Sequence, residues 1–509
     1  MMKKEVSQFQ TPDEQLTRNE NMINEYALNY SENNDSIFKM LCECIAYSRM
    51  LYEVKDWHHA QYQCCLGYFY ITFRGENHAL QAESHAENSL MLYSYYLNFI
   101  NQQINQQNFD SSNNLIIPCM MLLNYYTLSK SKLILKKNKE AFNLIKQTEN
   151  LLNKVEELLN LIQNSKIISP NSYDHNDNLE ELKKNLNDYY QQLNHCTLLR
   201  LDRNFYPNLK ILKLQIYCLY GKIAFEYKKY IVSFDQYIKA LRLIEEIYGS
   251  ESKETITIYH ALGHIEEYKN TTNDMNRSTE YFKKAYEISN KIYNEKRSFN
   301  SLVDLARSVY QLCTTCMKYN LNLENTEHHL DVILQILNTC NEQYAQNSNE
   351  YQIDKKSIES NDLMKVTNSS SDNDNYNNKR STDQCFISSH EYSNEYFVNL
   401  TCSLRSLLVK IYIKSNRHQE ALKLLQWNLN LQEDTYGIYN IRVIKTRKLI
   451  LSINMVQENF IEAVNEAEIC LDLERFTFGT NSKQVKKTQE ILEVLSSYKK
   501  SGNGVNSLH

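Results

Sequence analysis

Side chains on one helical face recur down this chain at steps of three, four and three, and an aromatic closes each strong copy eight positions later. The pattern reads Tyr230, Ser233, Tyr237, Ala240, Tyr248, then Met275, Ser278, Phe282, Ala285, Tyr293. It returns as His418, Ala421, Leu425, Asn428, Tyr436 and as Phe460, Ala463, Ala467, Cys470, Phe478. Weaker copies run through Asn34, Ile37, Leu41 and Cys44, through Ala79, Ala82, Ala86 and Ser89, and through Asn138, Ala141, Ile145 and Thr148. In the strong copies the closing aromatic precedes Gly249, Gly437 and Gly479, and in the other Asn294, residues suited to the left-handed backbone that ends a helix. The first two strong copies lie 45 residues apart and the last two 42, so each period holds one helix pair. A lone pair cannot bury its apolar face and must stack on its neighbours. The chain is therefore expected to be all-α, a right-handed α-solenoid of roughly seven to eight helix pairs.

Alternation of small and large residues predicts how the pairs pack. Gly67, Ala82, Ala86, Gly221, Ala240, Ala285, Ala421, Ala463 and Ala467 let helices approach, while Trp57, Tyr70, Tyr237 and Phe282 fill the wider gaps. Residues 1–20 are polar and charged and are expected to form a flexible tail. Repeat blocks are expected at 21–163, 205–340 and 391–481, with a linker or insertion containing a helix at 164–204. The stretch 341–390, rich in Asn, Ser, Asp and Lys, has too little apolar surface to offset chain ordering and is expected to be a disordered insertion. A solvent-faced capping helix at 482–498 and a tail at 499–509 complete the expected plan.

Composition narrows the function classes. Nine Gly and four Pro in 509 residues are too few for a turn-rich sheet fold. A net charge of -5 and a pI near 6.3 argue against a nucleic-acid surface. No secretory leader is readable in 1–15, and most of the 13 Cys fall in apolar helical stretches, the usage expected of free thiols in a reducing compartment. The longest apolar run, Leu115 to Leu123, is far short of a membrane span. Partners are thus expected to be other proteins, with no nucleic acid and no membrane insertion.

Candidate chemistry is sparse. Cys313 and Cys316 make a Cys-x-x-Cys without a second ligand pair, and His58 and His59 stand near Cys64 and Cys65, whose side chains diverge on a helix; both sets are expected to serve packing. His328 and His329 form no metalloprotease motif, and no glycine-rich phosphate loop occurs. The pairs Glu245–Glu246 and Glu266–Glu267 are expected on exposed helix faces. Neither catalysis nor a cofactor is expected. Lys130, Lys132, Lys136, Lys137 and Lys139 decorate one turn, as a solvated surface or as a docking point for an acidic partner.

The small-large alternation with Gly221, Ala240, Ala421 and Ala463 resembles the tetratricopeptide repeat, in the 42-residue variety of kinesin light chains. Residues 48–89 are similar to the opening repeats of the ciliary tetratricopeptide repeat protein 23 and 23-like family, through Tyr52, Trp57, Ala60, Leu66, Gly67, Tyr70, Gln81, Ala82, His85, Ala86 and Glu87. That resemblance implies a non-enzymatic scaffold in the cilium, axoneme or basal body, within a large microtubule-associated complex. A kinesin-light-chain-like transport adaptor and a general cytosolic peptide-binding module are the alternatives.

Overall fold

In the computed structural model, residues 11–26, 30–52, 56–104, 113–168, 209–269, 274–319, 321, 325–337 and 394–502 are described. They form helix pairs in chain order: α1 (Pro12–Tyr26) with α2 (Tyr30–Leu51), α3 (Trp57–Phe69) with α4 (Ala79–Ile104), α5 (Asn113–Ile134) with α6 (Asn138–Ile168), and α7 (Leu209–Glu226) with α8 (Tyr230–Tyr248). Next come α9 (Lys253–Lys269) with α10 (Asp274–Lys296) and α11 (Phe299–Lys318) with α12 (325–337). Last come α13 (Asn394–Lys414) with α14 (His418–Tyr436), α15 (Ile441–Val456) with α16 (Phe460–Phe478), and a single closing helix, α17 (Lys483–Gly502). No strand occurs among the described residues. The chain divides into two compact units, the first running to Ile258 and the second starting at Tyr259. Each is an all-α stack of helix pairs of the solenoid kind.

The three-four-three code marks the buried face of the second helix in seven of these pairs. Ile37, Leu41 and Cys44 in α2, Ala82, Ala86 and Ser89 in α4, and Ala141, Ile145 and Thr148 in α6 are all 0% exposed. The same holds for Ser278, Phe282 and Ala285 in α10 and for Ala463, Ala467 and Cys470 in α16. In α8 Ser233 and Ala240 are equally buried, while Tyr237 between them is partly exposed.

A glycine on the first helix faces the third code position in three pairs. A methyl group on Gly221 would stand 2.7 Å from the Tyr237 ring, and one on Gly263 would stand 2.7 Å from the Phe282 ring. Where the third position is Ala86, the backbones themselves close up, so that a methyl on Gly67 would meet the Ala82 carbonyl at 3.2 Å. The carbonyl of the first-helix glycine also takes a hydrogen bond from the code. Ser233 Oγ donates to Gly221 O at 2.7 Å and Ser278 Oγ to Gly263 O at 3.0 Å. Such bonds leave the buried hydroxyls satisfied and set the axial register of each pair.

Two kinds of turn connect the helices. Within four pairs, a non-glycine residue takes the left-handed conformation: Lys136, Lys228, Asn416 and Glu458, at φ 56–59°. The next amide reaches back five positions, as Lys229 N does to Ala224 O and Asn459 N to Asn454 O, closing a Schellman-type cap. Between pairs, Gly249, Gly437 and Gly479 take φ 91°, 78° and 82° with ψ 162°, 160° and 155°. This is the extended positive-φ region open essentially to Gly, not the left-handed helical one expected for them. Asn294 fails to imitate it for that reason: Asn tolerates left-handed helical backbone but not this region. α10 instead runs through Asn294 to Lys296, Arg297 carries the positive φ of 43°, and Ser298 caps α11 in a reciprocal box with Ser301.

The start of the chain departs from the expected tail. α1 begins at Pro12, and Leu16, Asn19, Glu20 and Ile23 are buried. Thr11 and Glu14 cap it reciprocally, Thr11 N donating to Glu14 Oε2 at 2.9 Å and Glu14 N to Thr11 Oγ1 at 3.3 Å. Thr-Pro-Asp-Glu is a capping box with Pro in the first turn, which outweighs the segment's polarity. α1 is the missing first helix of the pair whose second helix the code had marked. α6 reaches Ile168, into the start of the expected linker, and α17 extends to Gly502. Residues 341–390, 169–204 and 503–509 lie outside the described residues.

Candidate interaction surfaces

Five lysines were singled out at the α5–α6 turn, and the structure gives them different duties. Lys132 is largely buried among carboxylates, pairing with Glu83 and with Glu140 at 3.2 Å and Glu87 at 3.8 Å. The Glu83 hydrogen bond, against some burial, raises its ammonium above the ordinary lysine range. Lys137 also reaches Glu83, at 3.6 Å. Both therefore tie the turn to α4 and α6. Lys130 is half-buried with Nζ 5.9 Å from the Tyr126 ring centre. Burial, then the charge of Lys222, push it down to about 8, with Glu76 opposing. Lys136 and Lys139 remain exposed, Lys136 as the left-handed turn residue. What sequence reading missed here is the acidic partners on α4, which are distant in the chain.

The thiols are packing groups. Cys313 and Cys316 sit in α11, and Cys313 Sγ lies 3.9 Å from Thr326 O. Burial raises both thiols above the ordinary range, with a hydrogen bond to Thr326 opposing at Cys316. Cys64 and Cys65 are fully buried, burial raises both, and Cys64 Sγ points to Met120 O at 3.6 Å. His58 closes the N-cap of α3 with Asp56, its Nδ1 2.6 Å from Asp56 Oδ1, while His59 Nδ1 lies 2.8 Å from Ser48 Oγ. Trp57 stacks on His58 at 3.8 Å, and Tyr70 stands between His78 at 5.5 Å and His85 at 5.6 Å. Among the described residues, no group of three or more His, Cys, Asp or Glu side chains is placed to hold a metal ion.

One pair of acids breaks the expectation. Glu245 and Glu246 are exposed, but Glu266 is 1% exposed and bonded by Lys269 Nζ at 2.8 Å. Glu267 is largely buried and accepts from Thr315 Oγ1 at 3.0 Å. Burial opposes its charge, yet His264, Lys318 and Thr315 hold its carboxyl below the usual range. Polar groups of this kind recur at pair junctions in the second unit. Thr446 Oγ1 donates to Gln432 Oε1 at 2.8 Å, and one register later, 42 residues on, Thr488 Oγ1 donates to Glu474 Oε2 at 2.6 Å.

Large apolar side chains are exposed in several places among the described residues, Ile231 (75%) and Met50 (73%) the most, and they are most numerous in the last pairs. Exposed there are Phe476 (70%), Val456 (67%), Ile461 (59%) and Trp427 (55%). Tyr439 and Phe476 pack against one another with ring centres 4.1 Å apart and planes tilted by 32°, and Ile438 and Ile441 are exposed too. These side chains offer apolar area to a protein partner.

No protein-family model matches the chain, and no curated protein does. Among solved structures, the apo form of RapI aligns over 96% of this chain and 99% of its own at 10% identity, with a TM-score of 0.44. BtubC (BKLC) from P. vanneervenii aligns over 72% of this chain and 100% of its own at 11% identity, with a TM-score of 0.33. Likeness at that level carries nothing about function; the assignment to all-α repeat proteins rests on the chain's own helix pairs. Among the described residues, no helix is long and apolar enough to cross a membrane.

Proposed function

We propose that this chain is a non-catalytic scaffold of the tetratricopeptide type that binds other proteins through the outer faces of its stacked helices. The observation that supports it is the contrast between the interior and the surface of the last pairs. Inside, thiols, imidazoles and carboxylates are engaged in packing and register bonds. Outside, Trp427, Tyr439, Val456, Ile461 and Phe476 stand in solvent with no neighbour to cover them fully. Purification of the tagged full chain from its own cells under mild cross-linking tests this. A defined partner in constant stoichiometry is expected; recovery of the chain alone, as a monomer by light scattering, would reject it. Within this reading, the resemblance of residues 48–89 to a ciliary family supports a location at the axoneme or basal body. Fractionation into detergent extract and stripped axonemes tests the location, and an exclusively soluble pool would remove it while leaving the scaffold.

A further inference from the structure

α15 carries four cations, Arg442, Lys445, Arg447 and Lys448, and no carboxylate. Three are engaged: Arg442 over the Tyr436 ring at 4.6 Å, Arg447 with Glu433 at 2.8 Å and Glu466 at 3.2 Å, and Lys448 with Glu474 at 2.5 Å. Lys445 is exposed. At about 100° per residue, Ile441, Leu449, Ser452 and Val456 lie within about 40° of it on the same helical face. That face is not core, since Ile441 is 46%, Leu449 44% and Val456 67% exposed, whereas Val443, Ile450 and Ile453 on other faces are buried. α17 repeats the arrangement one register later. Lys487 occupies the position of Lys445, and Val494, 54% exposed, that of Ser452. The equivalence is fixed by the Thr446–Gln432 and Thr488–Glu474 bonds, which differ by the same 42 residues. Lys483 and Lys486 flank Lys487, and α17 has no acid before Glu490.

Building on the scaffold reading, we infer that the exposed faces of α15 and α17 are a docking surface for a segment of another protein that interleaves carboxylates with apolar side chains. Charge complementarity selects this occupant. A purely apolar segment would strip water from Lys445 and Lys487 without a counter-charge, and a purely acidic one would leave Leu449, Val456 and Val494 in solvent. The chain as a whole is acidic, at -5, so this cationic face opposes the overall balance and directs an acidic segment to one place.

The test is fluorescence anisotropy of the full-length chain with three labelled peptides of about twelve residues, one alternating Glu with Leu and Phe, one with Lys for each Glu, and one with Ser for each apolar residue. Binding of the first alone is expected, weakening about tenfold or more between about 50 mM and about 500 mM salt. The double variants Lys445→Glu/Lys487→Glu and Leu449→Ser/Val456→Ser should each weaken it at least about fivefold, and Lys139→Glu should not. Unchanged circular dichroism, together with a graded loss in Lys445→Gln/Lys487→Gln, guards against misfolding. Equal binding of the Lys peptide, or wild-type affinity in the first double variant, would overturn the inference. So would a concentration-dependent dimer lost in that variant with no peptide bound, which assigns the face to a second copy. If the charge-reversed chain still co-purifies with every partner of the wild type, this surface is refuted while the scaffold stands.

Discussion

Backbone conformation at single residues separates two turns that look alike on paper. Gly479 has open space where a side chain would sit, so Gly479→Ala meets no steric obstacle, only a forbidden φ of 82°. The substitution should cost about 1–3 kcal/mol, read as a shift in the urea midpoint at constant slope. Glu458 is the converse, a side-chain-bearing residue held at φ 58°. Glu458→Gly should stabilise by about 0.5–1 kcal/mol, because relief of left-handed strain exceeds the added freedom of the unfolded chain. Lys130 is strained electrically instead. Its folded pKa of about 8 lies below the ordinary 10.5, so below pH 8 the folded state carries the full cost of a half-buried charge, and the cost fades as pH rises toward 10.5. Lys130→Met should therefore stabilise at pH 7 and do so less at pH 9.5, by denaturant titration at both values.

Helix pairs are built from complementary faces, and each pair solves the fit in its own way. Gly221 against Tyr237 and Gly263 against Phe282 place the void on the first helix, while Gly67 against Ala82 and Ala86 brings two backbones together. Ala240, 0% exposed, lies on that packed face one turn from Tyr237. Ala240→Leu and Gly221→Ala should each destabilise by about 1–3 kcal/mol through overpacking. Tyr237→Ala combined with Gly221→Ala should recover part of the second loss, since the ring that the new methyl strikes is gone. Non-additive midpoints in this double-mutant cycle are the expected result, and strict additivity would show that the two do not meet.

At the scale of the molecule, buried imidazoles set an acid limit. Burial, then the charges of Arg307 and His264, push His260 down to about 3 from the ordinary 6.5. Burial also lowers His59, with Arg49 adding and Asp56 opposing, and burial lowers His85. The unfolded chain takes up these protons as pH falls through 6.5 while the folded chain resists, so stability present above 6.5 is lost toward pH 3. Denaturant midpoints should fall between pH 7.5 and pH 5, and His260→Gln, which retains a polar partner for Ser308, should flatten that slope.

Helix period, pair spacing and the buried face of seven of the second helices were legible in the sequence because they are local: a three-four-three step puts residues on one face whatever surrounds them. Ala82, Ala240, Phe282, Ala421 and Ala463 are accordingly core, and α1 too was legible in its Thr-Pro-Asp-Glu capping box. Tertiary structure alone decided which charges are free. Lys130 to Lys139 is one basic run in the chain, but Glu83, Glu87 and Glu140 neutralise part of it from other helices; Glu266 is identical in type to the exposed Glu245 yet buried. Which face of α15 and of α17 is left exposed is likewise decided by what packs against the rest of each helix. Periodicity is a property of one helix, whereas solvation of a charge depends on every element packed around it, and no sequence spacing records that.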